Sequence, residues 1–466
     1  MRLLMKFGGT SVGDGDRIRK VVDILEPYHE EGHELGVVVS AMSGVTNQII
    51  EMANEVVTCK EKPGIEPFIT QLRERHRKAL EVAAPDYLEE TGRILEGRLS
   101  DLRNMFMGLN NLRELTPRSR DYIISFGERL SAPVIRAALR QRGIPSVVLD
   151  GCEAGITTTA THGDGIVIPE SEAKIRGRIL PLLQDSVPVI MGYMGCTPQG
   201  ITTTLGRSGS DYSATVVGAA IGADEIWIWT DVDGIMTTDP RLVREARVLP
   251  SVSYLEAMEL SFFGAKVMHP RSIEPAMRKG IPIRVKNTFN PSHPGTCITK
   301  EKRRARRVVK ALTHITGVAL INVNGAQMIG RPGVARAIFT ALADKEVNVM
   351  MISQGSSEAN ISIIVELDHM EIAAEALKPM VQQGIVRDVT ANPDVAAVAV
   401  VGAGMIGTPG ISGRIFTALG LAGVNIMMIS QGSSEVNISF VVKESDGPKA
   451  VRVLHEELRL SEEQDG

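Results

Sequence analysis

The chain has 466 residues, 43% hydrophobic and 23% charged, the make-up of a folded protein of roughly three domains, which excludes disorder throughout. Lys plus Arg is 51 and Asp plus Glu is 55, a net charge of −4 that gives no global attraction to nucleic acid or an anionic membrane. No apolar run approaches the roughly 18 residues of a spanning helix, and MRLLMKFGG turns polar too early for a secretory signal, so a cytoplasmic protein is expected.

From the N-terminus, short apolar strands at 3–7, 36–40, 146–149, 187–191 and 225–229 alternate with helical stretches at 16–25, 46–57, 129–141 and 211–221. Such alternation predicts an α/β unit over residues 1–298, a mostly parallel sheet sandwiched by helices. The polar, strand-poor stretch 63–115 predicts a helical excursion that caps the sheet. Residues 299–312 form a basic linker and the first strand of the C-terminal region. Lys300 to Lys310, KEKRRARRVVK, has seven basic residues in eleven and no interleaved aromatic, which predicts a solvated connector.

An internal repeat organises the rest. GRPGVARAIFTALADKEVNVMMISQGSSEANISIIV from Gly330 recurs, with roughly two thirds of positions identical, as GTPGISGRIFTALGLAGVNIMMISQGSSEVNISFVV from Gly407, a shift of 77 residues. Each copy reads strand, Pro-Gly turn, helix, two strands and helix, most of a ferredoxin-like sandwich. The modules span 313–390 and 391–466. A leading strand at 308–315 has no place in the first copy and is expected to complete the second.

Two motifs mislead. Gly402-Ala403-Gly404-Met405-Ile406-Gly407 matches GxGxxG, but Pro409-Gly410 precedes the helix and no acid comes after it for a ribose. Gly9-Thr10-Ser11-Val12-Gly13 matches a nucleophile elbow, yet no earlier strand exists to supply an oxyanion hole. Cys59, Cys152, Cys196 and Cys297 are dispersed, with no CxxC, and predict neither a disulfide framework nor a zinc site.

The chemistry concentrates elsewhere. Lys6-Phe7-Gly8-Gly9 ends the first strand and opens a helix, where backbone N–H groups and a lysine suit an anion. Gly206-Arg207-Ser208-Gly209-Ser210-Asp211 is a second such loop; Asp211 there suits orienting a lysine or placing magnesium. Thr230-Asp231 closes a strand where open α/β sheets bind ligands. Lys266 and Glu128 are isolated charges in apolar segments. With no Walker A or protein-kinase signature, two anion loops, two lysines and acids fit phosphoryl transfer by positioning and charge.

KFGGTSV, VVSAMSGVTN, SFGERLSA, TTLGRSGSDYSA, WTDVDGIMTTDPR and FFGAKVMHP, in this order, together resemble the aspartate kinases of the amino-acid kinase superfamily. The doubled unit resembles the paired ACT modules with which that family senses amino acids. The resemblance implies transfer of the γ-phosphoryl of ATP, with Mg²⁺, to the β-carboxylate of L-aspartate. The product is 4-phospho-L-aspartate, first step toward lysine, threonine, methionine and isoleucine. Some relatives continue into a homoserine dehydrogenase; with the chain ending at Gly466 that activity is not expected. Carried over by motif, Lys6, Phe7, Gly8, Gly9 and Ser40 serve ATP, and Thr46, Glu128, Arg207, Ser208 and Ser210 serve aspartate. Glu128 takes the substrate ammonium and Arg207 its α-carboxylate. Thr230, Asp231, Met236, Arg241, Lys266 and Val267 hold the nucleotide, Met236 standing where many relatives carry tyrosine. Lys6, Asp211 and Lys266 form the catalytic set, with no direct metal ligand assigned. Rival readings are a kinase for glutamate or acetylglutamate, and an amino-acid sensor with a dead kinase half.

The resemblance further implies a homodimer or higher homo-oligomer through the modules. It also implies feedback inhibition at a pocket of Met328, Gly333, Val334, Ala335, Asn348, Val349 and Gln354. Lysine-sensing relatives tend to carry an acid where this chain has Met350, so L-threonine is expected ahead of L-lysine, unless Glu346 or Glu358 serves lysine's ammonium.

Overall fold

The computed structural model describes residues 1–58, 64–262, 268–300, 308–355 and 359–462. The chain forms two compact units: residues 1–235, 250–254 and 267–300 make the first, and 236–249, 255–266 and 301–466 the second. Residues 236–249 and 255–262, close in sequence to the kinase motifs, therefore pack with the C-terminal repeat.

The first unit carries strands β1 (Arg2–Phe7), β2 (Glu34–Val39), β3 (Ser146–Leu149), β4 (Val187–Met191), β5 (Met194–Cys196), β6 (Thr202–Thr204), β7 (Glu225–Thr230), β8 (Ser251–Ser253), β9 (Ile283–Asn287) and β10 (Thr296–Thr299). Eight form one sheet in the order β3-β4-β2-β1-β7-β9-β10-β8, parallel except between β9 and β10, and β5 and β6 pair as a separate hairpin. Strands β1, β2 and β4 are buried along nearly their whole length, as strands covered on both faces must be. The excursion folds as helices Ile65–Ala83 and Leu88–Leu112. Their Phe68, Leu72, Leu99 and Phe106 share a core with Met5, Val37 and Leu130. Helix Gly209–Ile221 is buried on almost all sides, which its Ala-, Val- and Gly-rich sequence permits. The hairpin and the strands β8 and β10 escape a periodicity reading because three or four residues carry too little pattern.

The second unit carries β11 (Ala311–Asn324), β12 (Met351–Gln354), β13 (Asn360–Glu366), β14 (Asp388–Val401), β15 (Met428–Gln431) and β16 (Asn437–Lys443) in one antiparallel sheet, order β12-β13-β11-β14-β16-β15. The long strands are shared. Ala311–Ile315 pairs with Ala397–Val401 beside β16, while Val318–Asn324 lies between β13 and the first half of β14. Each module thus lends its neighbour the strand that completes a four-stranded sandwich. The register shifts around Gly317, whose φ of 71° lies in the left-handed region. Helices Val334–Ala343 and Ile411–Leu421 bury Ile338 and Leu342, and Ile415 and Leu419. The opposite sheet face is also buried, at Leu320, Ile364, Val441 and Met428, and Ser430 Oγ donates to Ile352 O at 3.1 Å between the two end strands.

Two expectations need correction. Cys152 and Cys196 form a disulfide, with Cα atoms 5.2 Å apart across a sequence separation of 44. The topology brings the loop after β3 beside β5, a proximity that cysteine spacing does not encode. Lys310, assigned to a solvated connector, is buried and donates to Glu256 at 2.9 Å; residues 301–307 of that connector lie outside the described residues. No helix among the described residues is long and apolar enough to cross a membrane.

Candidate active site

Phe7, Val39, Met191 and Trp229 lie in register across β1, β2, β4 and β7. The next residue on each strand, Gly8, Ser40, Gly192 and Thr230, therefore forms a rim at the carboxyl edge of the sheet, where parallel sheets bind ligands. The rim is tied together by Gly8 N–H to Trp229 O at 3.1 Å, Ser40 N–H to Phe7 O at 3.2 Å and Gly192 N–H to Val39 O at 2.9 Å.

Lys6 Nζ stands 2.6 Å from Asp211 Oδ1, with both side chains nearly buried. The contact is ionic, since Asp211 Oδ1 accepts no aligned hydrogen bond. Asp211 sits in the first turn of helix Gly209–Ile221, where the macrodipole favours an anion. The preceding Ser208 is the left-handed residue at that helix start, with φ 55°. Ser210 packs against Gly192, while Arg207 is exposed and contributes, after burial, to lowering the pKa of His269.

Glu128 is 3% exposed in the first turn of helix Phe126–Gln141. Its Oε1 accepts from Ala41 N–H at 3.1 Å, while Oε2 is buried without a hydrogen-bond partner. Burial pushes its carboxyl up to about 8, only partly offset by the backbone bond and by nearby Lys6. The helix approaches this closely because position 127 is glycine: a Cβ there would lie 2.7 Å from Ala41 Cβ and 2.9 Å from Thr46 Oγ1. Lys6, Gly8, Gly9, Ser40, Thr46, Glu128, Ser208, Ser210, Asp211 and Thr230 thus gather around loops at one edge of the first unit. Thr230 Oγ1 donates to the exposed Asp231 at 3.2 Å. Phe7 lies inside the core, stacked on Trp229 with centroids 5.9 Å apart, so its side chain cannot meet a ligand.

The structure adds Tyr193. Its φ of 68° is rare for a bulky residue, and such backbone strain clusters at functional sites. It is hydrogen-bonded to Thr204, and burial first, then Glu128 and Asp121, raises its phenol. The Gly192-Tyr193 pair after an apolar strand was the only trace in the sequence.

Other expected nucleotide residues stand in the second unit. Met236 bridges to Val248, and Arg241 is exposed and held by Asp239 at 2.6 Å. Lys266 and Val267 lie outside the described residues. The second unit also has a cavity of about 340 Å³ beside helix Val334–Ala343, lined by Met328, Gly333, Val334, Ala335 and Gln354 of the expected effector set. Asn348 and Val349 do not line it: Asn348 is exposed, and Val349 packs on the module core. Arg331 and Ile361 join the lining instead.

The amino acid kinase family model matches residues 1–287, and the ACT domain model matches 321–379 and 398–458. The chain is 36% identical to a bifunctional aspartokinase/homoserine dehydrogenase of Daucus carota over 98% of its own length, and spans about half the length of that and similar relatives. It is 33% identical to aspartokinase 1 of Arabidopsis thaliana, over 97% of this chain and 79% of that one. E. coli aspartokinase III in complex with aspartate and ADP superposes with a TM-score of 0.83 at 27% identity, covering 98% of this chain and 100% of the other. The lysine and aspartate complex of the same enzyme gives 0.79, over 98% and 99%. By sequence and by fold, the chain belongs to the amino acid kinase family, among the aspartokinases that carry paired ACT domains.

Proposed function

We propose that the chain phosphorylates the β-carboxylate of L-aspartate with ATP. The observation that carries this reading is the pairing of two buried charge sites: Lys6 against Asp211, and Glu128 with one carboxylate oxygen unspent. A buried acid with an open oxygen and a carboxyl pushed to about 8 is poised for a cation, and the ammonium of an α-amino acid supplies one. Arg207, on the loop that opens helix Gly209–Ile221, suits the α-carboxylate, which a guanidinium can grip with two bonds. The aspartate and ADP bound in the E. coli enzyme support aspartate as acceptor and an adenine nucleotide as its partner.

A carboxylate is nucleophilic at neutral pH, so the residues need supply no general base. Their task is to hold two anions together in line. Lys6 offsets the charge on the transferring phosphoryl, and the N–H groups of the Gly8-Gly9 turn and the start of helix Gly209–Ile221 add fixed positive dipoles. Mg²⁺ in such sites is held largely by phosphates and water with one or two carboxylates. Asp211, buried beside Lys6, fits that share, and the ion would neutralise phosphate charge. No group of three or more metal-ligating side chains exists among the described residues.

The cavity at Arg331 fits an amino-acid inhibitor. Among the described residues its lining contains a guanidinium for a carboxylate and no acid for a second ammonium, which favours L-threonine over L-lysine, the ligand of the E. coli complex; Glu358 lies outside the described residues. Exposed Ile352 and Ile429 on the end strands suit a homodimer through the modules.

The reaction is tested by trapping its product. Incubation with ATP, Mg²⁺, L-aspartate and hydroxylamine should give aspartyl hydroxamate, and none without ATP or aspartate. ATP hydrolysis without hydroxamate would reject the reading.

A further inference from the structure

The first unit holds a buried carboxylate that the proposed phosphoryl transfer does not use. Asp121, 1% exposed on helix Pro117–Ile124, accepts four hydrogen bonds from three residues. Thr204 Oγ1 donates at 2.5 Å, His162 Nδ1 at 2.7 Å, and Gly163 N–H to both carboxylate oxygens at 3.0 and 3.1 Å. The His162 ring donates because a carboxylate only accepts.

The donors come from separate segments. Loop 159–165 grips β6 a second time, through Gly165 N–H to Thr204 O at 2.8 Å. Its Asp164 lies against Gly206, where a Cβ would be 2.7 Å from Asp164 Oδ1. Arg271 holds the far side: it pairs with Asp164, donates to Gly165 O at 2.6 Å and lies over the Tyr212 ring at 4.7 Å.

Chain connectivity gives the cluster its meaning. Asp121's helix runs through Ser125 directly into the helix that carries Glu128, and β6 runs into the loop that carries Arg207. Burying a carboxylate carries a desolvation cost that hydrogen bonds must offset, and an apolar residue would fill the space without it. The neighbours Ile123 and Ile124 are that apolar solution. What the carboxylate adds is direction, because four bonds define the separation of three segments.

We propose that Asp121 is a positioning residue for amino-acid recognition, setting the distance between Glu128 and Arg207 through His162, Gly163 and Thr204. The inference rests on the assignment of those two groups to the ammonium and α-carboxylate of the substrate. An α-amino acid presents its two charges at a fixed span, and misplacement by about 1 Å costs on the order of a hundredfold in rate. The ATP side of the rim, at Lys6 and Thr230, takes no part in the cluster.

The test is steady-state ADP release by the full chain, with aspartate and ATP varied independently and thermal unfolding measured alongside. Asp121→Asn, which removes the charge, should raise KM for aspartate about tenfold or more, leave KM for ATP within about twofold, and lower kcat less than it raises that KM. Thr204→Val, which removes one bond and no charge, should raise KM for aspartate about threefold and carries the test if Asp121→Asn does not fold. Unchanged KM values, or both rising together with a fall in Tm, would overturn the proposal while leaving the functional reading intact. A wild-type protein without aspartate-dependent ADP release would overturn that reading, and this proposal with it.

Discussion

Glu128 ties the site's chemistry to pH. Its carboxyl stands at about 8 in the folded protein against 4.5 ordinarily, because burial disfavours the charged form. A raised acid contributes stability below its unfolded value, and loses it as pH rises from about 4.5 through about 8. Substrate binding has the opposite demand, since an ammonium wants the ionised form. kcat/KM for aspartate should therefore climb with pH and level off near 8, and Glu128→Gln should abolish that rise while weakening aspartate binding at least tenfold. The same variant should unfold at higher temperature than the parent at pH 8 and with no such advantage at pH 4. At the phosphate side, Lys6→Ala should lower kcat on the order of a hundredfold or more, because its charge acts where negative charge gathers. A KM effect without loss of kcat would mean that Lys6 only binds. Lys6 and Glu128 were legible as single charges at the ends of apolar segments. Tyr193 and Asp121 were not, because backbone strain and convergence of segments have no local pattern.

Among the elements, the two modules show what near-identity of sequence leaves open. In the second, Glu256 accepts from Lys310 at 2.9 Å and from Ala403 N–H at 2.7 Å, and Glu259 accepts from Asn437 at 2.8 Å. In the first, the corresponding Ala326 is exposed and Asn360 turns to Asn324 at 2.6 Å instead. Residues 255–262 thus cover the second module at a place where the first leaves Ala326 exposed, and the cavity lies in the first. Removing one partner from a buried ion pair costs about 3–5 kcal/mol, whereas replacing both by apolar residues is often neutral. Glu256→Ala should then destabilise the second unit by that amount in denaturant titrations, and Glu256→Met with Lys310→Met should recover most of it. Equal stability of the single and double variants would show that the pair is not coupled. The repeat made the module fold legible, including the leading strand that completes the second copy. It could not reveal Glu256, which lies 147 residues from the amide it meets.

In the molecule as a whole, an amino acid kinase fold is joined to paired ACT modules. Threonine should inhibit at sub-saturating aspartate, and Arg331→Ala should raise the concentration needed about tenfold while leaving uninhibited turnover unchanged. Inhibition by lysine alone would reject the reading of the cavity. Light scattering should give at least a dimer; a monomer at all concentrations, with effector present, would reject assembly through the modules. The division of the chain was the least legible feature. Motif order suggests a break near residue 298 and the kinase family match reaches residue 287, while by contact residues 236–249 and 255–262 pack with the repeat, since compactness is set by contacts between segments and not by sequence order. The proposed activity is that of a kinase for an acidic substrate bearing a free amino group. ADP release measured with L-aspartate, L-glutamate and acetylglutamate in parallel tests it most directly. Turnover is expected with L-aspartate, little with L-glutamate, and none with acetylglutamate, whose acylated nitrogen offers Glu128 no charge. Turnover with acetylglutamate, or with none of the three, would contradict it.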